Sequence, residues 1–427
     1  MILLDKTRAL AVKILHSIDF EGAYSNIALN KKLSTNEDVG KAFITEVVYG
    51  VERWRSKIDW IIRKNSKIRL KKIEPYILCV LRLGVYQIIY MDSVPDFAAV
   101  NECVSLSKRY GNARTSSFVN AVLRSVIRNK DEVDCADIEI KYAHPKWLID
   151  RWIDSYGEDF TIELLETNNQ IPPITLRVNT LKIDRDTLIE RLDIDCRKSE
   201  NTEYGVIVNK FSDIKNNQQF KEGLFQIQDE ASMNAVEKLD VKEGEVVIDV
   251  CSAPGGKSTF IAELMNNNGR VLARDIHEHK LQLLRESADR LGITCIETEI
   301  FDALDLDENL IGKADKVIVD APCTGYGIIR KKPDIKWKAN EDDSGSLSKV
   351  QSKILENASK YVNTGGRLVY STCTLSDIEN RDVVKKFCDN NNCDFELVEE
   401  KTFFPNIDKT DGFYVVVFDR KKEETDE

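Results

Sequence analysis

Between residues 9 and 127, apolar side chains recur every three or four positions, the spacing of one face of an α-helix. Ala9–Ile18 sets Leu10, Ile14, Leu15 and Ile18 on such a face, and Phe43–Tyr49, Tyr76–Tyr90, Ala98–Leu106 and Phe118–Ile127 repeat it. No alternating stretch of strand length interrupts them. Residues 1–130 are therefore predicted to form an all-α bundle of about five to seven helices. From Ala143 to about Phe225 the texture is mixed. His144-Pro145-Lys146-Trp147-Leu148 opens a helix, with Pro145 suited to its first turn. Pro172-Pro173 then breaks the chain, and Ile174–Val178 and Tyr204–Asn209 look like strands flanking a helix near Asp186–Leu192. A small α/β linker domain over 140–225 is the expected outcome.

After Gln226 the rhythm is strand, turn, helix. Predicted strands are Val246–Val250, Arg270–Ile276, Cys295–Ile300, Lys316–Asp320, Arg367–Ser371 and Phe413–Asp419. Helical stretches Ser258–Met265, His279–Leu291, Val350–Tyr361 and Glu379–Cys388 lie among them. Such alternation predicts a doubly wound, mostly parallel sheet over 226–422, with ligands bound at the carboxyl ends of its strands. The acidic remainder, 423–427, reads as a tail.

Composition narrows the class. Of 427 residues, 42% are hydrophobic and 31% charged, which excludes a disordered or fibrous chain. No apolar run nears the ~20 residues a membrane helix needs. Asp5, Lys6 and Arg8 cut short the apolar Met1-Ile2-Leu3-Leu4, so no secretory signal is expected there. Ten scattered cysteines without a CxxC, and only four histidines, do not support a metal site. A cytosolic protein, monomeric by default, is the expectation. The net charge of −11 hides two unlike parts: residues 1–130 carry 22 Lys/Arg against 12 Asp/Glu, and the remainder 39 against 60. A basic module on an acidic one suggests a polyanion partner. The basic side chains are densest from Arg53 to Lys72 and include Arg55, Lys57, Arg63 and Lys64.

Chemistry concentrates at the predicted strand ends. The first strand runs into Asp249-Val250-Cys251-Ser252-Ala253-Pro254-Gly255-Gly256-Lys257-Ser258. Its adjacent glycines allow close backbone approach to a ligand, before a helix N-terminus. Gly256-Lys257-Ser258 also matches the end of a P-loop, but Cys251 stands where that motif needs glycine, and Pro254 lacks the N–H of a phosphate cradle. Asp275 closes the second strand and can accept ribose hydroxyls, and Asp302 follows the third, placed for an adenine amino group. Each alone is equally an ordinary cap. The fourth strand leads into Asp320-Ala321-Pro322-Cys323-Thr324-Gly325 and the fifth into Ser371-Thr372-Cys373-Thr374. Ser376-x-x-Glu379 reads as a capping box for the next helix. Inert burial accounts for Cys79, Cys103, Cys295 and Cys388, but less well for Cys323 and Cys373 on strand-end loops.

Asp249–Ser258, Asp320–Gly325 and Ser371–Thr374 resemble, in order and spacing, the RNA 5-methylcytosine methyltransferases that use S-adenosylmethionine. The run Ile329-Arg330-Lys331-Lys332-Pro333-Asp334-Ile335-Lys336-Trp337 narrows the likeness to the RsmB (Sun/Fmu) branch. Thr45–Gly50, Leu81–Gln87 and Phe118–Arg124 look like the NusB-type RNA-binding bundle of that branch. His144–Leu148 and Gln228–Ser232 match its middle part. The resemblance implies a helical NusB-like domain, a small α/β linker and a Rossmann-like methyltransferase domain. It implies that Cys251, Ser252, Ala253, Pro254, Gly255, Gly256 and Lys257 cradle the cofactor, that Asp275 holds its ribose and Asp302 its adenine, and that Asp320 holds its methionine end. Cys373 would be the nucleophile, adding to cytosine C6, and Cys323 its helper in releasing product. A neutral Asp320 carboxyl is a further expectation, as donor to cytosine N3. DNA enzymes attack with the Pro-Cys cysteine and RNA enzymes with the Thr-Cys one, so the presence of both points to RNA. The substrate implied is a single cytosine of 16S small-subunit rRNA, position 967 in the standard count. Arg53, Arg55, Lys57, Arg63, Lys64, Arg330, Lys331 and Lys332 are the expected RNA contacts.

Overall fold

The structure is a computed structural model that describes residues 5–422, apart from 37, 210, 212, 213, 392 and 393. The acidic tail 423–427 lies outside the described residues. Two compact units divide the chain. One holds residues 1–170 together with 329–338, the other 171–328 together with 339–427. The expected 140–225 linker is thus shared between them, because its two opening helices, Lys146–Tyr156 and Glu158–Asn168, belong to the first unit.

The first unit is helical. Lys6–Phe20, Ser25–Ser34, Lys41–Arg53, Arg55–Asn65, Pro75–Tyr90, Asp96–Tyr110 and Ala113–Arg128 bury the periodic apolar faces in one core. Pro75–Tyr90 is the central rod. Twelve of its sixteen residues are buried, so every side of it meets another helix. Gly50 allows one such approach: a Cβ there would lie 2.0 Å from the Tyr86 ring.

Residues 329–338 complete this unit at two helix ends. At the C-terminus of Lys41–Arg53, carbonyls lack helical donors. Trp337 Nε1 donates to Glu52 O (2.6 Å) and Lys336 Nζ to Arg53 O (2.9 Å). At the N-terminus of Ser25–Ser34, Asp334 accepts from Ser25 N (2.9 Å) and from its hydroxyl, placing a carboxylate on the positive end of the helix.

The second unit has two sheets. A small antiparallel one comprises β1 (Ile174–Val178), β2 (Cys196–Lys198), β3 (Gly205–Val208) and β4 (Phe225–Ile227), in order β2-β3-β1-β4. Helix Arg185–Leu192 packs its Leu188 and Leu192 on the apolar face of this sheet. The large sheet comprises β5 (Val246–Asp249), β6 (Arg270–Asp275), β7 (Ile296–Ile300), β8 (Ala314–Asp320), β9 (Val362–Thr372), β10 (Phe395–Phe403) and β11 (Phe413–Arg420). Its order is β10-β11-β9-β8-β5-β6-β7, with β9-β8-β5-β6-β7 parallel and β11 and β10 antiparallel. The order reverses between β5 and β8, which opens a crevice at their carboxyl ends.

A buried ion pair braces the helix after β5. Arg177, fully buried on β1, holds Glu263 of helix Gly256–Leu264 through two bonds (Nη2–Oε1 2.8 Å, Nε–Oε2 3.0 Å) and also donates to Gly256 O (2.6 Å). Glu263 is almost wholly buried, so removing the guanidinium leaves a carboxylate without its hydrogen-bonded counter-charge. Arg177→Met is therefore expected to cost about 3–5 kcal/mol of stability, read by denaturant unfolding. A double Arg177→Met/Glu263→Leu variant should recover most of that loss.

Candidate active site

The carboxyl ends of β5, β6 and β8 open into one cavity of about 420 Å³. Its walls mix carboxylates with apolar surface: Asp275, Asp302 and Asp320 beside Val250, Ile276, Phe301 and Ile354. Cys251, Ala253, Cys323 and Cys373 also line it. Ser252, Pro254, Gly255, Gly256 and Lys257 do not, and of these Ser252, Gly255 and Lys257 are buried. They shape the turn. Ser252 N and Oγ both donate to Arg274 O (2.9 and 3.1 Å), tying the loop to β6. Gly255 has φ +104°, and a Cβ there would stand 2.6 Å from Leu284, so only glycine fits.

The aspartates are held by their own backbone. Asp275 Oδ1 accepts from His277 N (2.8 Å) and Asp302 Oδ1 from Leu304 N (2.9 Å), each fixing a carboxylate at the mouth of the cavity. Asp249 is fully buried beneath the loop, bonded by Ser258 Oγ (2.7 Å). Burial pushes its carboxyl up to about 7 despite that bond. Arg274, which the motifs did not single out, lies 4.1 Å from the Phe301 ring and pairs with Glu299 and Asp307 (both 2.6 Å). It fixes one apolar wall of the cavity.

Asp320 is held by two bonds. Lys257 Nζ donates to its Oδ2 (2.6 Å) and Ser371 Oγ to its Oδ1 (3.1 Å).

Cys323 and Cys373, fifty residues apart in sequence, bring their sulfurs to 3.1 Å. The bond to Cys373 and burial hold the Cys323 thiol well above the ordinary thiol range. The capping box does not form. Glu379 is buried and bonds Thr324 instead, and the helix begins two residues later, at Arg381.

The expected RNA contacts separate into two kinds. Arg53 and Arg330 are buried (6% and 5% exposed), and Arg53 Nη2 donates to Arg330 O (3.1 Å). Both are corrected to structural roles within the helical unit. Arg55 pairs with Asp19 (3.1 Å), and Lys57 is half-buried with its ammonium 5.6 Å from the Trp54 ring. Arg63 and Lys64 are exposed, as are Lys67, Arg69, Lys71 and Lys72, while Lys331 and Lys332 are partly exposed.

The donor set fits a nucleoside without phosphates: paired carboxylates for hydroxyl and amino groups, apolar walls for a base, and a glycine turn for close approach. Asp275→Ala is expected to weaken S-adenosylmethionine binding by about tenfold or more, measured by calorimetry, through loss of a charged hydrogen bond. Unchanged affinity would remove Asp275 from the ribose site.

Comparison with known proteins agrees with this geometry. The family profile for 16S rRNA methyltransferase RsmB/F matches residues 236–419, the NusB family 5–128, and the ferredoxin-like domain of RsmF/B-like methyltransferases 144–215. "Probable ribosomal RNA small subunit methyltransferase B" of Bacillus subtilis is 38% identical over 392 residues, covering 89% of this chain and 87% of that one. Its Escherichia coli namesake is 31% identical over 422 residues, covering 95% and 97%. Among solved structures, PH0851 superimposes with TM-score 0.84 at 26% identity, over 98% of this chain and 99% of that one. A methyltransferase homologue from Pyrococcus horikoshii gives 0.60 at 29%, over 66% and 97%. With S-adenosylmethionine the cofactor its cavity fits, the chain belongs to the ribosomal RNA small subunit methyltransferase B family.

Proposed function

We propose that this protein methylates C5 of a cytosine in 16S rRNA, at position 967 by family likeness, through a covalent bond between Cys373 and C6. The observation that carries this reading is the thiol pair, 3.1 Å apart on the wall of the cavity that Asp275 and Asp302 share. Cytosine C5 alone is too poor a nucleophile to take a methyl group. Addition of a thiolate to C6 makes C5 enamine-like, which is the use of covalent catalysis here. When bound, S-adenosylmethionine supplies the electrophilic methyl. Asp275, Asp302 and Asp320 would hold its ribose, adenine and methionine ends. Lys257 and Ser371 orient Asp320 for that task. The target base must leave its stack to reach the thiols. Arg63 and Lys64, with the exposed basic residues after them, are the side chains proposed to meet RNA phosphates.

The test uses 16S rRNA carrying 5-fluorocytosine with S-adenosylmethionine. Fluorine at C5 cannot leave as a proton does, so the adduct persists. Peptide mapping is expected to find RNA on the tryptic fragment holding Cys373. Attachment to any other fragment, or none with unmodified rRNA accepting labelled methyl, overturns the covalent assignment.

A further inference from the structure

We infer that the adjacent residues Glu379 and Asn380 are the positioning pair that sets the two thiols in register. Each clamps one cysteine by its neighbours. Glu379 Oε2 accepts from Thr324 N (2.9 Å) and its Oε1 from the Thr324 hydroxyl (2.6 Å), just after Cys323. Gln351 Nε2 reaches both Glu379 Oε2 (3.0 Å) and Pro322 O (2.9 Å), just before Cys323. Asn380 spans the other thiol: it accepts from the Thr372 hydroxyl (2.6 Å) and donates to Thr374 O (2.9 Å). A bond between the Thr324 and Thr374 hydroxyls (2.7 Å) joins the two loops. Since the Thr324 proton goes to the carboxylate, Thr374 is the donor there. Tyr370 OH anchors the clamp by donating to Glu379 O (2.7 Å).

Glu379, Asn380 and Gln351 are all buried, at 0%, 2% and 0% exposure. A buried carboxylate costs stability unless its oxygens are filled, and here donors from the loop it holds fill them. Glu379, Asn380 and Gln351 do not line the cavity, so these side chains act through the cysteines. The inference rests on the cytosine reading for what the thiols do, though not for what holds them. A misplacement of about 1 Å at a reacting atom costs about a hundredfold in rate.

Two rates test it on the full-length chain. One is methyl transfer to rRNA. The other is closure of a Cys323–Cys373 disulfide by diamide, which takes two electrons and two protons from the thiols and needs neither RNA nor cofactor. Glu379→Ala is expected to slow both by about tenfold or more, with KM for cofactor and RNA within about twofold of native. Glu379→Gln, which still accepts from two N–H groups, should return both rates to near native. Asn380→Asp, which sets a carboxylate oxygen against Thr374 O, should slow both through the other thiol. If Glu379→Ala fails to fold, Asn380→Asp and Thr324→Val carry the same comparison. Folded variants with native rates in both assays overturn the clamp. Slowed disulfide closure in variants, with no methyl transfer to cytosine even by the native chain, would uphold the clamp and reject the cytosine reading.

Discussion

Cys373→Ser should abolish methyl transfer, lowering the single-turnover rate on the order of 10⁴-fold or more, as loss of a covalent nucleophile does. Serine matches the shape of cysteine but ionises far less readily, and only an anion adds to C6 fast enough. Cys373 lines the cavity beside Cys323, whose S–H can solvate a neighbouring thiolate. Serine in that place would accept the same bond without becoming an anion at neutral pH. S-adenosylmethionine affinity and melting temperature should stay native, because the carboxylates that would bind the cofactor lie on other strands. The measurement is transfer of labelled methyl at saturating cofactor. A variant within tenfold of native would show that the nucleophile lies elsewhere.

What the sequence made legible depended on how local the cause was. Among the described residues up to 128, five of the seven α-helices follow from apolar spacing, while Ser25–Ser34 and Arg55–Asn65 do not, and six strands of the large sheet follow from short apolar runs. The edge strand Phe395–Phe403 was not foreseen, because its exposed face carries Glu396, Glu399 and Lys401 and its apolar positions are few. The thiols were legible from their motifs, since strand ends in such sheets share one edge. Their helpers were not. Glu379 fits a capping box by spacing, yet its partner Thr324 lies 55 residues away and claims the carboxylate first. Arg53 counts as one more positive charge until residues 329–338 bury it, a contact across 277 positions. Charge density in a window cannot tell an exposed arginine from one that binds a carbonyl. Asp320 carries the same lesson, because its partner Lys257 lies 63 residues earlier.

Cys323→Ala should separate methyl transfer from product release. Cys323 Sγ lies 3.1 Å from Cys373 Sγ, and that contact and burial hold its thiol well above the ordinary range. The reaction also has to remove the proton on C5. In the proposed reaction, release requires that proton to leave C5, its electron pair to form the C5–C6 double bond, and the C6–S bond to break with both electrons on Cys373. An S–H beside the departing sulfur stabilises the new thiolate. Without it the leaving group is poorer, and the methylated adduct persists. The single-turnover rate should fall by less than about tenfold, since addition and transfer keep their participants. Multiple turnover should fall by about a hundredfold or more, near 3 kcal/mol of barrier, with a denaturant-stable protein–RNA complex accumulating. Cys323→Ser, which retains a donor, should lie between. The complex should vanish in a Cys323→Ala/Cys373→Ser chain, because the trapped bond is to Cys373. Native multiple turnover by Cys323→Ala, with no complex on a denaturing gel, would leave Cys323 without a part in release.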